Sequence, residues 1–140
     1  EFVVLNTCYN YSVGDTPLDL SCISFKTSCG AGKNMISIDA SGDVYPCHIM
    51  QTSEYKLGNI LEASLDDLLE SPANREFCSS TVENIVGCKD CEYKYFCGGG
   101  CKARSFFRFQ SLNERDMYCH GYKNNFERLG KYFSEVSSVL

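Results

Sequence analysis

Seven of the ten cysteines fall in one spaced series: Cys29-x12-Gly42-x4-Cys47, then Cys88-x2-Cys91-x5-Cys97-x3-Cys101, then Cys119. Thiolates are soft donors, and cysteines two or three residues apart converge on one metal centre far more readily than they pair with each other. Ten cysteines in 140 residues is also dense enough to demand either metal or disulfides. Three chemistries stay open at this level. One is an iron–sulfur centre. The second is a tetrahedral zinc site made by Cys88, Cys91, Cys97 and Cys101, serving a colourless interaction module and leaving Cys29 and Cys47 without a role. The third is a disulfide framework, which needs an oxidising compartment. The opening Glu1-Phe-Val-Val-Leu5 lacks the basic start and long apolar stretch of a secretion signal.

The elements that must position these thiols are short. Met35 to Asp39 and Asp43 to Pro46 flank Ala40-Ser41-Gly42, which predicts a hairpin whose turn uses Gly42 at positive φ and whose two ends deliver Cys29 and Cys47. Ser64-Leu-Asp-Asp-Leu-Leu-Glu70 starts with an N-cap serine, has acids in its first turn and sets Leu65, Leu68 and Leu69 on one side, so a short amphipathic helix ends before Pro72. Ala73 to Ser80 suits a second short helix. Gly87 to Cys101 reads as irregular backbone wound around a metal centre. There Gly98, Gly99 and Gly100 permit close approach and aim amides at sulfur, while Tyr93, Tyr95 and Phe96 shield the site. Phe126, Leu129, Phe133, Val136 and Leu140 recur at helical spacing and predict a helix over 122–140.

A net charge of −5 supplies no electrostatic reason to bind nucleic acid, and no stretch is long and apolar enough to span a bilayer. The one basic cluster, Lys102, Arg104 and Arg108, reads as a solvated helix face; its sharper reading is compensation of the negative charge of a thiolate-bound cluster. Cys8 and Cys78 stand outside the series and read as incidental thiols.

The Cys29, Gly42 and Cys47 spacing with the Cys-x2-Cys-x5-Cys-x3-Cys run and Cys119 resembles the SPASM domain, the C-terminal extension of radical S-adenosylmethionine enzymes that modify peptides and proteins. The resemblance spans Cys22 to Cys119. It implies a small α+β, irregular, metal-stabilised fold: a β-hairpin, short helices and a C-terminal helix around two [4Fe–4S] clusters. Residues 1–21 would be an arm from a missing domain, 22–121 the two-cluster domain and 122–140 the closing helix. Two fully ligated four-iron clusters need eight thiolates, and Cys22 is the natural eighth. Carried over by position, Cys22, Cys29, Cys47 and Cys101 would hold the first cluster, and Cys88, Cys91, Cys97 and Cys119 the second. If Cys22 does not ligate, one iron of the first cluster opens to substrate.

By the same resemblance the partners are a radical S-adenosylmethionine barrel, carrying S-adenosylmethionine and a third cluster, and a peptide or protein substrate, with neither nucleic acid nor membrane. The only Cys-x3-Cys here runs from Cys97 to Cys101 and position 104 is arginine, so this chain should not cleave S-adenosylmethionine by itself. Sulfatase-maturing members carry aspartate directly after the hairpin cysteine as a proposed base. Here that position is His48, a candidate base near neutral pH or a hydrogen-bonding neighbour of the cluster. The departure favours a ribosomal-peptide maturase forming thioether or carbon–carbon links, with an anaerobic sulfatase-maturing enzyme as the alternative. The expected location is the cytoplasm of an anaerobic or facultative microbe.

Overall fold

Chain punctuation divides the described residues into short elements rather than long ones. The computed structural model describes residues 26–137; the expected arm over 1–21, with Cys8 and Cys22, lies outside them, as do residues 138–140. The side chains of Phe133 and Val136 and all of Leu140, part of the predicted apolar stripe, also lie outside the described residues. Among the described residues there are three strands and five helices in a small α+β arrangement. They form two compact units, one of residues 30–80 and one of residues 26–29 with 81–137.

In the first unit, β1 (Ser37–Ile38) pairs antiparallel with β2 (Asp43–Tyr45), Ser37 opposite Tyr45 and Ile38 opposite Val44. The turn is the expected one. Gly42 sits at φ 86°, and Asp39 Oδ1 accepts the amides of Ser41 at 2.8 Å and Asp43 at 3.0 Å, an Asx-type closure. A third strand, β3 (Gly58–Asn59), pairs with β2 and was not anticipated. At two residues it is too short to show alternation, and side chains hold it instead. Asn59 Nδ2 donates to Ser41 O at 2.9 Å and to Asp43 Oδ1 at 2.8 Å, and Lys56 Nζ stands 2.6 Å from Asp43 Oδ2.

Ser64 caps α1 (Leu65–Leu69) by accepting from the Asp67 amide, and Ser71 caps α2 (Pro72–Ser79) by accepting from the Asn74 amide, with Pro72 at the position where its missing N–H is not needed. Both predicted helices therefore form. Of the three leucines placed on one side of α1, only Leu68 is buried, because a five-residue helix presents barely more than one turn to the core; Leu65 remains 44% exposed. Leu68 joins Val44 and Leu57 in a core bordered by Ile36, Ile60, Ala63 and Ala73. Phe77 of α2 is fully buried and meets Tyr55 edge to face at 5.8 Å.

The second unit holds α3 (Lys94–Cys97), α4 (Lys102–Phe109) and α5 (Cys119–Ser137). The short α3 replaces part of the irregular winding expected over 87–101. The last helix begins at Cys119, three residues before the predicted Tyr122, because Asp116 O accepts the Cys119 amide at 3.0 Å and starts the helical turn early. Phe126 of α5 stacks on Tyr93 at 5.5 Å, so the helix packs on its own unit there.

Leu68→Ala is expected to lower the stability of the chain by about 2–4 kcal/mol, since it empties a buried site between the sheet and α1. Leu65→Ala should change it by less than about 1 kcal/mol. Urea unfolding of the two variants under anaerobic conditions measures the contrast.

Candidate metal centre

The thiols of the second unit are placed by consecutive tight turns. Residues 26–29 are tied down where Lys26 N donates to Tyr95 O at 2.7 Å and Val82 N to Thr27 O at 2.8 Å. From there Cys88 N donates to Ile85 O at 3.0 Å, Cys91 N to Cys88 O at 3.0 Å and Lys94 N to Cys91 O at 3.1 Å, so each carrier sits one turn past the last. Cys97 ends α3. The next three residues, Gly98, Gly99 and Gly100, are all left-handed, at φ 68°, 84° and 77°. A Cβ on Gly99 would lie 2.6 Å from Ile85 Cδ1, and one on Gly100 2.6 Å from Asp116 Cβ, so both conformation and space select glycine.

Cys88 is buried, and its thiol is pushed up to about 11, first by burial and then by the charges of Cys119, Cys97 and Cys91. Burial also pushes up Cys97, opposed by hydrogen bonds from the Gly99 and Gly100 amides. Cys88, Cys91, Cys97 and Cys119 thus share one neighbourhood, although Cys119 lies far along the chain. Four thiolates crowded in a partly buried place repel one another unless a positive centre sits among them, so this donor set fits a metal group. Among the described residues no three His, Cys, Asp or Glu side chains close tightly enough to hold a single ion. Thiolates are the donors of both iron–sulfur clusters and zinc, so the chemistry of the set fits either group.

Cys101 has charged neighbours of its own. Its thiol is raised by burial first, lowered by the Arg104 amide and charge, and raised again by Cys29 and Asp116. The zinc reading groups Cys101 with Cys88, Cys91 and Cys97; three left-handed glycines lie between Cys97 and Cys101, and the thiols whose charges bear on Cys88 are Cys119, Cys97 and Cys91. Cys47 is buried two residues past β2, in the first unit, whereas Cys29 groups with the second, drawn there by the bonds of Lys26 and Thr27. Three residues past Cys29 and one before Cys47, Gly32 N donates to Pro46 O at 3.0 Å and brings the two ends of the hairpin together. His48 follows Cys47 and is exposed. Cys78 lies in α2, its Sγ 3.9 Å from Ala31 O and 3.8 Å from Asn74 Oδ1.

The residue that spacing did not single out is Asp116. It is 2% exposed and accepts from the Cys101 amide at 2.7 Å, from Arg104 Nε at 3.2 Å and Nη2 at 2.6 Å, and from the Tyr118 amide at 3.1 Å. Burial pushes its carboxyl up, but the Arg104, Tyr118 and Cys101 donors outweigh burial and leave it below its usual value. Arg104 also donates to the Tyr122 hydroxyl and lies 5.1 Å from the Tyr118 ring centre. The basic cluster is therefore not one solvated face. Lys102 is buried and Arg104 is paired with Asp116, and of the three Arg108 alone is exposed. The aromatic shield is likewise partial: Tyr95 packs on Val82, Ile85 and Cys88, but Phe96 is 51% exposed.

Gly100→Ala is expected to destabilise the chain by roughly 2–3 kcal/mol, from left-handed strain and the clash with Asp116. Gly121→Ala, in α5 with nothing within 4 Å of the added carbon, should instead stabilise by about 0.5–1 kcal/mol. Paired urea midpoints under anaerobic conditions decide whether the glycine conformation carries the difference.

Residues 29–92 match the family model of SPASM, described as an iron–sulfur cluster-binding domain. The chain is 30% identical over 116 residues to the cysteine-type anaerobic sulfatase-maturating enzyme of Clostridium perfringens, a match covering 81% of this chain and 31% of that protein. It is 32% identical over 93 residues to the mycofactocin maturase MftC of Mycobacterium ulcerans, covering 65% of this chain and 25% of the relative. Among solved structures it resembles native anSMEcpe with bound AdoMet, with a TM-score of 0.64 and 28% identity over 82% of this chain and 32% of the other. The chain spans between a quarter and a third of the length of these relatives. With the Cys29 to Cys91 part of the series inside the matched span, residues 29–92 are a SPASM domain, an iron–sulfur cluster-binding domain.

Proposed function

We propose that this chain is the auxiliary cluster-bearing part of a radical S-adenosylmethionine maturase that modifies a peptide or protein. In this reading it holds two [4Fe–4S] clusters, one on Cys88, Cys91, Cys97 and Cys119, the other on Cys22, Cys29, Cys47 and Cys101. The observation that carries it is the gathering of the first four thiols around buried Cys88, with two glycine amides directed at Cys97. Bound there, a four-iron cluster supplies one-electron transfer.

The residues of the chain divide the remaining work. Gly99 and Gly100 donate to the Cys97 sulfur and stabilise its anionic form. Val82, Ile85 and Tyr95 pack against Cys88 and keep water from its side of the site. Asp116 fixes the Cys101 amide, and Arg104 brings positive charge to that thiolate. With all eight cysteines engaged, neither cluster would offer an open iron, and the pair would serve electron transfer and structure.

The partner is a radical S-adenosylmethionine barrel, the substrate a peptide or protein segment, and the setting the cytoplasm of an anaerobic or facultative microbe. Two substrate classes divide the reading. His48, in place of the aspartate of sulfatase-maturing members, favours cross-linking of a ribosomal peptide, with His48 as a candidate base. The sulfatase-maturating relatives favour a sulfatase segment.

Anaerobically reconstituted chain is expected to be brown and to hold about eight irons and eight sulfides. Cys88→Ala or Cys119→Ala should halve both, leaving one cluster, whereas Cys78→Ala should leave both at the parent level. A colourless parent chain holding zinc, or an equal loss from Cys78→Ala, would count against the ligand assignment.

A further inference from the structure

Asp116 and Arg104 form a fixed pair of opposite charges beside Cys101, and nothing in the ligand assignment requires them. The carboxylate is held by five protein donors and the guanidinium by three partners, Asp116, the Tyr122 hydroxyl and the Tyr118 ring. Neither charge can rearrange when the charge of a nearby group changes. The carboxylate receives the amide of Cys101 itself. Arg104 lies one helical turn on, in α4, and its charge reaches the Cys101 sulfur. A carboxylate bonded only to arginine would be an ordinary internal ion pair; this one is bonded to the backbone of the thiol carrier as well.

We propose that Asp116 and Arg104 are antagonistic positioning residues that set the reduction potential of the cluster on Cys101. The inference rests on the assignment of Cys101 to the first cluster. The physics is Coulombic: a one-electron reduction adds one negative charge to the cluster, so an immobile cation beside a ligand favours the reduced form and an immobile anion disfavours it. The two charges pull the potential in opposite directions, and holding them as a pair keeps the net effect small. Losing either one exposes the other. A role limited to folding would give both losses the same sign, a weaker or missing cluster.

The test is a mediated redox titration of the full chain, anaerobically reconstituted, with the electron paramagnetic resonance signal of each reduced cluster as readout. Arg104→Gln is expected to lower one of the two midpoints, disfavouring reduction about tenfold, which is 59 mV for a one-electron couple. Asp116→Asn should raise that same midpoint by a similar amount, and Arg104→Lys should stay near the parent. The midpoint of the other cluster should not move. If Arg104→Gln loses the cluster, Asp116→Asn and Arg104→Lys carry the same test, since an unshifted or lowered midpoint in Asp116→Asn overturns the proposal. Shifts of the same sign, or fixed midpoints at full iron content, overturn it and leave the ligand assignment standing. A parent chain that holds no iron overturns the assignment and this proposal together.

Discussion

The buried carboxylate of Asp116 is the constraint on which the second unit depends. A charge this far from water is costly unless every lone pair is engaged, and here the Cys101 amide, the Tyr118 amide and the Arg104 fork engage them. Those donors come from three places: the residue before α4, the first turn of α4, and the turn that leads into α5. Satisfying one side chain therefore fixes where two helices start. It also fixes what can stand at Gly100, whose missing Cβ leaves room for the carboxylate itself. Asp116, Arg104 and the glycine run form one packing solution, because altering any of them leaves either a charge without a partner or an atom without space.

The first unit achieves order by other means. Its strands are two or three residues long, too short to be stable from ladder hydrogen bonds alone. Side chains substitute for length: Asp39 closes the turn, Asn59 bridges the outer edge to Ser41 and Asp43, and Val44, Leu57 and Leu68 fill the space beneath. Asn74 does for α2 what Asp116 does for α4 without any charge. It is buried, and its Nδ2 donates to Gly32 O and Leu69 O at 2.8 Å each. An amide bears burial at far lower cost than a carboxylate, so this unit needs no compensating cation.

What could be read from the sequence was local. The Gly42 turn and the Ser64 cap are decided within a few residues by backbone conformation and one side-chain hydrogen bond, so both elements were visible in the chain order. The strand Gly58–Asn59 was not, because its pairing rests on Asn59 reaching back to Ser41 and Asp43, and no periodicity marks two residues. Spacing alone grouped Cys101 with the three cysteines before it. Three left-handed residues lie between Cys97 and Cys101, and only the family resemblance paired Cys119 with Cys88. Arg104 was legible as part of a basic cluster, but its pairing with Asp116 had no signal: an acid and a base twelve residues apart look like solvated surface until the fold removes the water. His48 stands exposed beside Cys47.

The second unit is discontinuous in the chain, since residues 26–29 belong with 81–137 and the whole first unit is strung between them. During synthesis on the ribosome, Lys26 and Thr27 emerge long before Tyr95 and Val82, the residues that hold them. The first unit by contrast has its sheet, caps and core complete once residue 80 is made. Growth of the chain thus imposes an order in which a finished module waits while residues 26–29 ahead of it still lack their partners, and the set Cys88, Cys91, Cys97 and Cys119 is not complete until Cys119 has been added. A cluster held by that set, as proposed, would have to be delivered after assembly, timed by the last segment to appear rather than by the first cysteine exposed.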